Sequence, residues 1–212
     1  MDYNQSYISS KEYFGRYPEK ILVEYSHLIS KGDPVLDIGA GQGRNTIYLA
    51  KQDFNVEAID TSEVSIQFLE NIKTELNLNF TTVLSGFNEF EFNKKYSAIL
   101  VFGLLQILEW DEINLLKQRT SNCLIDGGII FVTAFTTLDN SYSTISSNSK
   151  NIGRNSYLKP DGEIRTFFEP GGLKNLFSDY KIIHYWEGLG PEHRHGEGPI
   201  QRHAMVEAVF KK

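Results

Sequence analysis

One cysteine, Cys123, stands alone in 212 residues, so no disulfide forms within the chain and a reducing compartment is expected. It falls in the amphipathic stretch 115–124, where a thiol packs in a core more readily than it attacks a substrate. Runs of lysine or arginine are also missing. Acidic residues outnumber basic ones 27 to 21, for a net charge of −6, and a chain without a basic face lacks what phosphate neutralisation requires, so nucleic acid is not an expected partner. Long hydrophobic runs are scarce: the longest, 98–105, contains Gly103 and is too short to span a bilayer. The polar stretch 1–6 has no apolar segment of the signal-peptide kind. A cytoplasmic protein with no membrane partner is expected. No internal repeat is visible, and 41% hydrophobic residues over this length are ordinary for one globular domain.

The most informative segment is 34–45, Pro-Val-Leu-Asp-Ile-Gly-Ala-Gly-Gln-Gly-Arg-Asn. An apolar run ends in Gly39, Gly41 and Gly43, with Asp37 just before the first glycine, and 44–51 then reads as a helix. This is a buried strand turning through glycines into a helix N-terminus, where the backbone must turn tightly and approach a ligand without a Cβ in the way. The dinucleotide pattern G-x-G-x-x-G requires its last glycine at 44, where the chain has Arg44. A second acid, Asp60, ends the next expected strand, Val56-Glu57-Ala58-Ile59-Asp60, and a carboxylate there can accept both hydroxyls of a ribose.

Around this segment the elements alternate. A helix is expected over 11–30, strands over 34–38, 56–59, 80–84, 96–102 and 129–135, and helices over 44–51 and 110–124. Thr61 or Ser62 caps a further helix with the apolar stripe Val64, Ile66, Phe68, Leu69, Ile72 and Leu76. Residues 126–128, Asp-Gly-Gly, read as a turn. Such alternation implies an α/β, doubly wound, mostly parallel sheet with right-handed crossovers and a ligand at the carboxyl ends of its strands. A polar Ser/Asn-rich stretch, 136–155, is followed by a helix over 170–177 and strands over 180–187 and 204–210. No helix separates these last two strands, so they read as an antiparallel pair.

Asp37, the three glycines, Asp60 and the reversed final pair together resemble the class I S-adenosylmethionine-dependent methyltransferases. The resemblance implies a Rossmann-like methyltransferase fold of seven strands. It also implies a single domain over 1–212, with an N-terminal helical segment 1–32 and a substrate-covering insert at about 136–168. The cofactor implied is S-adenosyl-L-methionine, its methionine and ribose over Asp37, Gly39, Ala40, Gly41, Gly43 and Asn45, and its ribose on Asp60, with Thr61 and Ser62 alongside. The family's usual acid after the third strand falls at Gly86, so the adenine contact passes to Gly86 and Phe87, with Ser85 or Asn88 as substitutes. Phe102, Gly103 and Leu104 match the segment after the fourth strand, where Gly103 admits the methionine amino group and Leu104 lines the adenine.

The 162–210 region resembles the tellurite-resistance type of methyltransferase, whose Gly-x-x-His-Arg segment and later Arg lie over the active site. That implies catalytic roles for His193, Arg194 and, with a one-residue shift, Arg202. Histidine suits general base catalysis near neutral pH and arginine binds oxyanions bidentately. Arg154 and Arg165 are either further anion contacts or plain surface, and Tyr13, Tyr17 and Tyr157 either face a sulfonium or pack. His193-x-His195 has no matched third ligand, so no metal site is expected. The expected partner is a small-molecule methyl acceptor, a chalcogen oxyanion or a thiol. The competing readings are a nicotinamide-dependent oxidoreductase and a non-catalytic cofactor-binding module.

Overall fold

A computed structural model describes residues 3–10 and 12–212. Five parallel strands, β1 (Val35–Ile38), β2 (Val56–Asp60), β3 (Phe80–Leu84), β4 (Tyr96–Val101) and β5 (Leu124–Phe135), carry the centre of a seven-stranded sheet. Two C-terminal strands complete it: β9 (Lys181–Leu189) and β10 (Ala204–Lys211). The order is β3-β2-β1-β4-β5-β10-β9, with β10 antiparallel to both β5 and β9. Every residue of β1, β2 and β4 is buried, as strands covered on both faces must be. The order reverses between β1 and β4, and the glycine segment leaves β1 at that switch point.

Local signals explain the helices. Helix α3 (Arg44–Ala50) follows Gly43, which sits at φ 79°. Helix α4 (Glu63–Glu75) is capped by the Ser62 hydroxyl, which accepts the Ser65 amide at 3.1 Å. Helix α5 (Trp110–Cys123) begins with a capping box between Glu109 and Glu112. Of the stripe expected on α4 only Leu69 is fully buried, with Ser65 buried one turn before it, while Leu76 is 42% exposed. The expected turn at 126–128 is absorbed as an irregularity within β5: Gly127 takes φ 79°, and the β4–β5 register shifts between Tyr96 and Ala98.

The N-terminal segment departs from the expected helix over 11–30. A helix lies earlier, α1 (Tyr3–Ser9), residues 12–14 form a turn, and α2 (Lys20–Tyr25) runs into a single 3₁₀ turn at Ser26–Leu28. Gly15, at φ 83°, and Pro18 break the helical run. The expected residue Lys11 lies outside the described residues, as do residues 1 and 2. The polar stretch after β5 is also more ordered than its composition suggests. It forms α6 (Ser141–Asn148) and a small antiparallel sheet of β6 (Lys150–Gly153), β7 (Ser156–Leu158) and β8 (Ile164–Thr166). A parallel bridge between Thr136 and Phe168 closes this insert at its root, and the short helix α7 (Gly172–Leu176) leads on to β9.

Gly43 sets how closely α3 approaches α4. A Cβ there would lie 2.1 Å from Leu69 Cδ2, and Leu69 is fully buried with no room to yield. Gly43→Ala is expected to cost about 2–5 kcal/mol, from left-handed strain plus overpacking. Gly171→Ala has the same sign of φ but nothing within 4 Å, so it carries the dihedral cost alone, about 1–2 kcal/mol. Urea denaturation of the two variants measures the difference.

Candidate active site

The carboxyl edge of the sheet opens into one continuous cleft of about 1180 Å³. That exceeds the ~300–1,000 Å³ of ordinary small-molecule sites and leaves room for two ligands side by side. At its floor, Gly39 and Gly41 adopt φ 72° and 54°, conformations in which a side chain is strained, and their main chain lines the cleft. The Asp60 carboxylate accepts the Gly41 amide at 2.8 Å on one oxygen and the Ser62 amide at 2.9 Å on the other. Two amides leave further lone pairs on a carboxylate that itself lines the cleft. Burial raises its pKa against the opposing pull of the Ser62, Gly41 and Thr61 amides.

Behind this floor lies Asp37, 2% exposed, accepting the Thr46 hydroxyl at 2.6 Å. Burial raises its pKa to about 6, outweighing the Thr46 hydrogen bond. Asn45 holds the entry of α2, its side-chain oxygen accepting the Glu19 amide at 2.9 Å, and Arg44 pairs with the Glu19 carboxylate. Thr61, Gly86, Phe87, Phe102, Gly103 and Leu104 all line the cleft, and the Gly103 amide donates to Thr133 Oγ1 at 3.0 Å. Asn88 also lines it, within 3.4 Å of Glu112, a carboxylate brought to the cleft by the first turn of α5. Nearby, Gln106 Oε1 is buried with no hydrogen-bond partner among the described residues, an acceptor whose cost is relieved only by a donor from a ligand or water.

Two of the expected cofactor residues stand away from the cleft walls. Gly43 is a packing glycine against Leu69. Ser62 serves Asp60 through its amide, α4 through its hydroxyl oxygen, and α1 by donating to Asn4 Oδ1 at 2.5 Å.

The roof comes from both ends of the chain. Tyr7 of α1 lies over the glycines, its hydroxyl 3.0 Å from where a Gly41 Cβ would stand. It packs with Tyr3, Tyr13 and Phe14, and burial raises its pKa well above the ordinary phenol range. Gln42 staples this segment down, accepting the Tyr13 amide at 2.8 Å and donating to the Ser10 carbonyl at 2.7 Å. From the other end, the loop 190–203 meets it: the Gly196 amide donates to the Tyr13 carbonyl at 3.0 Å, and the His195 ring rests on Phe14 at 5.0 Å. Burial, then the neighbouring His193, lower His195 to about 4, so it is a neutral ring at pH 7.

His193, His195 and His203 all line the cleft. Arg194 and Arg202 do not. Arg194 is exposed, and Arg202 turns back to donate to the Gly190 carbonyl at 2.9 Å, where it braces the loop. Arg165 lines the cleft from β8, whereas Arg154 lies over Trp110 outside it. Tyr13 and Tyr17 are at the cleft, but Tyr157 is buried in the insert within 3.4 Å of the Tyr142 hydroxyl. Sequence reasoning missed Tyr3, Tyr7, Gln106, Glu112 and Asp139. Only the Tyr3/Tyr7 spacing of four, one face of a helix, offered a local signal.

The fold and site define a Rossmann-like α/β protein of the methyltransferase kind: a glycine turn at the switch point, an acid closing β2, and a reversed terminal pair. The chain belongs to the family described as tellurite resistance protein TehB, whose model matches residues 5–157. It is 27% identical over 164 residues to a probable S-adenosyl-L-methionine-dependent methyltransferase TehB of Haemophilus influenzae, a match covering 77% of this chain and 51% of that protein. It thus spans about half the length of the curated TehB proteins it matches. The crystal structure of TehB from Haemophilus influenzae superposes with TM-score 0.74 at 23% identity, covering 98% of this chain and 67% of that one. A probable (S)-tetrahydroprotoberberine N-methyltransferase 2 of Papaver bracteatum is 24% identical over 163 residues, 74% of this chain and 44% of its own length. The nicotinamide reading finds no support among these relatives. Among the described residues no helix is long and apolar enough to cross a membrane.

Asp37 gives the site a pH signature. Its folded pKa, about 6, lies above the ordinary 3.8, so the native state holds the proton more tightly than the unfolded chain does. This contribution is fully present below pH ~4 and is lost as pH rises through about 6. Asp37→Asn, which cannot ionise, is expected to flatten that decline, so its stability relative to wild type rises by about 2–3 kcal/mol between pH 4 and pH 7. Chemical denaturation across this range is the measurement, and parallel curves for the two proteins would rule the effect out.

Proposed function

We propose that the protein transfers a methyl group from S-adenosylmethionine to a small acceptor, a thiol before an oxyanion. The observation that carries this is the single cleft running from the Asp60 carboxylate and the Gly39–Gly41 main chain to the imidazoles of His193, His195 and His203. The Gly39, Ala40 and Gly41 backbone lies under the methionine and ribose, and Asp60 accepts the ribose hydroxyls. The adenine lies among Gly86, Phe87, Asn88 and Leu104, where Glu112 replaces the acid missing at 86. Gln106 Oε1, without a partner among the described residues and beside the glycine at 103, suits the amino group of the methionine end. His193 lines the acceptor end of the same cleft.

When bound, the sulfonium supplies a methyl already activated as an electrophile. The protein's part is to hold the nucleophile in line and exclude water. Such positioning supplies roughly 7–11 kcal/mol in well-oriented reactions, and Tyr7, Tyr13 and the loop 190–203 form the cover that excludes solvent.

Charge favours a thiol over an oxyanion. Asp37, Asp60, Glu19, Glu24, Glu112, Glu192 and Glu207 line the cleft against Lys20, Arg44 and Arg165. Of those cations, Arg44 is paired with Glu19, and Arg165 stands 3.5 Å from Glu163. The two arginines expected to clamp an anion, Arg194 and Arg202, are outside. The same carboxylates favour an amine as the second reading.

Asp60→Ala is expected to weaken S-adenosylmethionine binding by about 1–3 kcal/mol, because polar groups of the ligand lose their acceptor. Calorimetry reads this directly, and wild-type affinity in the variant would remove the cofactor from this site. Release of S-adenosylhomocysteine over a panel of thiols, amines, phenols, selenite and tellurite then ranks the acceptors. Arg194→Ala should leave the ranking unchanged.

A further inference from the structure

His203 stands just before β10, where the antiparallel pairing with β5 carries it to the carboxyl edge of the sheet. Its ring stacks on Phe135, with centroids 4.3 Å apart and planes 24° from parallel. Its Nδ1 lies 3.0 Å from Asp139 Oδ2. Asp139 is 4% exposed and fully engaged. The same Oδ2 accepts the Ala204 amide at 2.8 Å, and Oδ1 accepts the amide and the hydroxyl of Ser141. An imidazole with one nitrogen donating to a fixed carboxylate has its ring orientation and tautomer set, and its other nitrogen is the basic one. Of the other imidazoles lining the cleft, His193 Nδ1 faces only the Pro191 carbonyl at 3.1 Å and His195 rests on aromatic rings, while His184 has both nitrogens engaged, Nε2 with Glu207 at 3.2 Å and Nδ1 with the Tyr25 hydroxyl at 3.3 Å, so it has no nitrogen left for an acceptor.

We propose that His203, oriented by Asp139, is the general base of the reaction, and that the acceptor is therefore a protic nucleophile that must lose a proton. The proposal rests on the methyl-transfer reading above. The acceptor's S–H proton passes to His203 Nε2, and its sulfur lone pair forms the new bond to the methyl carbon. The donor's C–S bond breaks with its electron pair left on the departing thioether. The imidazolium is balanced by the Asp139 carboxylate and returns its proton to water. Asp139 is a positioning residue in this scheme. The other charged or titratable groups around His203 are His193, with ring centroids 5.3 Å apart, His195, which interacts with it electrostatically, and Arg165, which lies over the Phe135 ring at 5.7 Å.

Two thiols serve as probes: benzyl mercaptan, protonated near neutral pH, and thiophenol, largely ionised there. His203→Ala is expected to lower kcat/KM for benzyl mercaptan about 100-fold or more and for thiophenol less than about 10-fold, with S-adenosylhomocysteine affinity unchanged. Asp139→Asn should fall between on the first probe, and added imidazole should restore part of the His203→Ala loss. Equal losses on both thiols, or no loss on either, overturn the base assignment. Nitrogen-15 NMR of histidine-labelled protein gives a readout free of turnover. His203 should hold its proton on Nδ1 in the wild type and lose that preference in Asp139→Asn, and an unchanged tautomer overturns the dyad. A wild type that binds cofactor yet methylates neither thiol defeats the acceptor reading instead, and the tautomer result still decides the dyad.

Discussion

The carboxylate of Asp60 holds the site together. One oxygen takes the amide of Gly41, the other the amide of Ser62, so a single side chain at the end of β2 fixes both the glycine turn after β1 and the start of α4. Ser62 passes the constraint on, capping α4 and reaching Asn4 in α1. The Ser65 hydroxyl returns it to the Gly41 carbonyl, which closes a buried circuit. Left-handed glycines are costly in backbone entropy, and this circuit is what keeps them in one conformation for a ligand to meet.

On that floor the protein builds its roof from segments far apart in sequence. The first helix and the aromatic turn after it lie over the glycines, and the loop between β9 and β10 closes on them through Gly196 and His195. The contacts between the two are aromatic faces and single hydrogen bonds, the kind of low-density packing that opens at modest free energy. The sheet beneath, with every residue of its central strands buried, does not share that freedom.

The sequence made the floor legible and the roof obscure. Asp37, Gly39, Gly41 and Asp60 are readable because strand, turn and helix lie within a few residues of one another and each demands a particular residue type. Gly43 carried the same signal for a different reason, since its freedom from a Cβ serves Leu69 on the next helix. The helix expected over 11–30 failed at Gly15 and Pro18, where aromatic residues gave an apolar face to a segment that is a turn over the cleft. His193 was placed at the cleft, but its neighbour Arg194 faces outward because consecutive residues in a loop need not share a direction. The Asp139–His203 contact spans 64 residues, and no periodicity or spacing announces a pair at that distance.

The parallel bridge between Thr136 and Phe168 gives the insert a narrow neck, since the chain leaves the sheet and rejoins it at neighbouring points. Lengthening a loop whose ends already meet adds little closure entropy, about 0.6 kcal/mol for each doubling. What hangs from that neck can therefore change in length at little cost to β1 to β5. Asp139 travels with the insert and His203 stays on the sheet, so any exchange of the insert also resets the partner of that histidine. Under the proposal above, the insert and the orientation of the proposed base are inherited on one cassette.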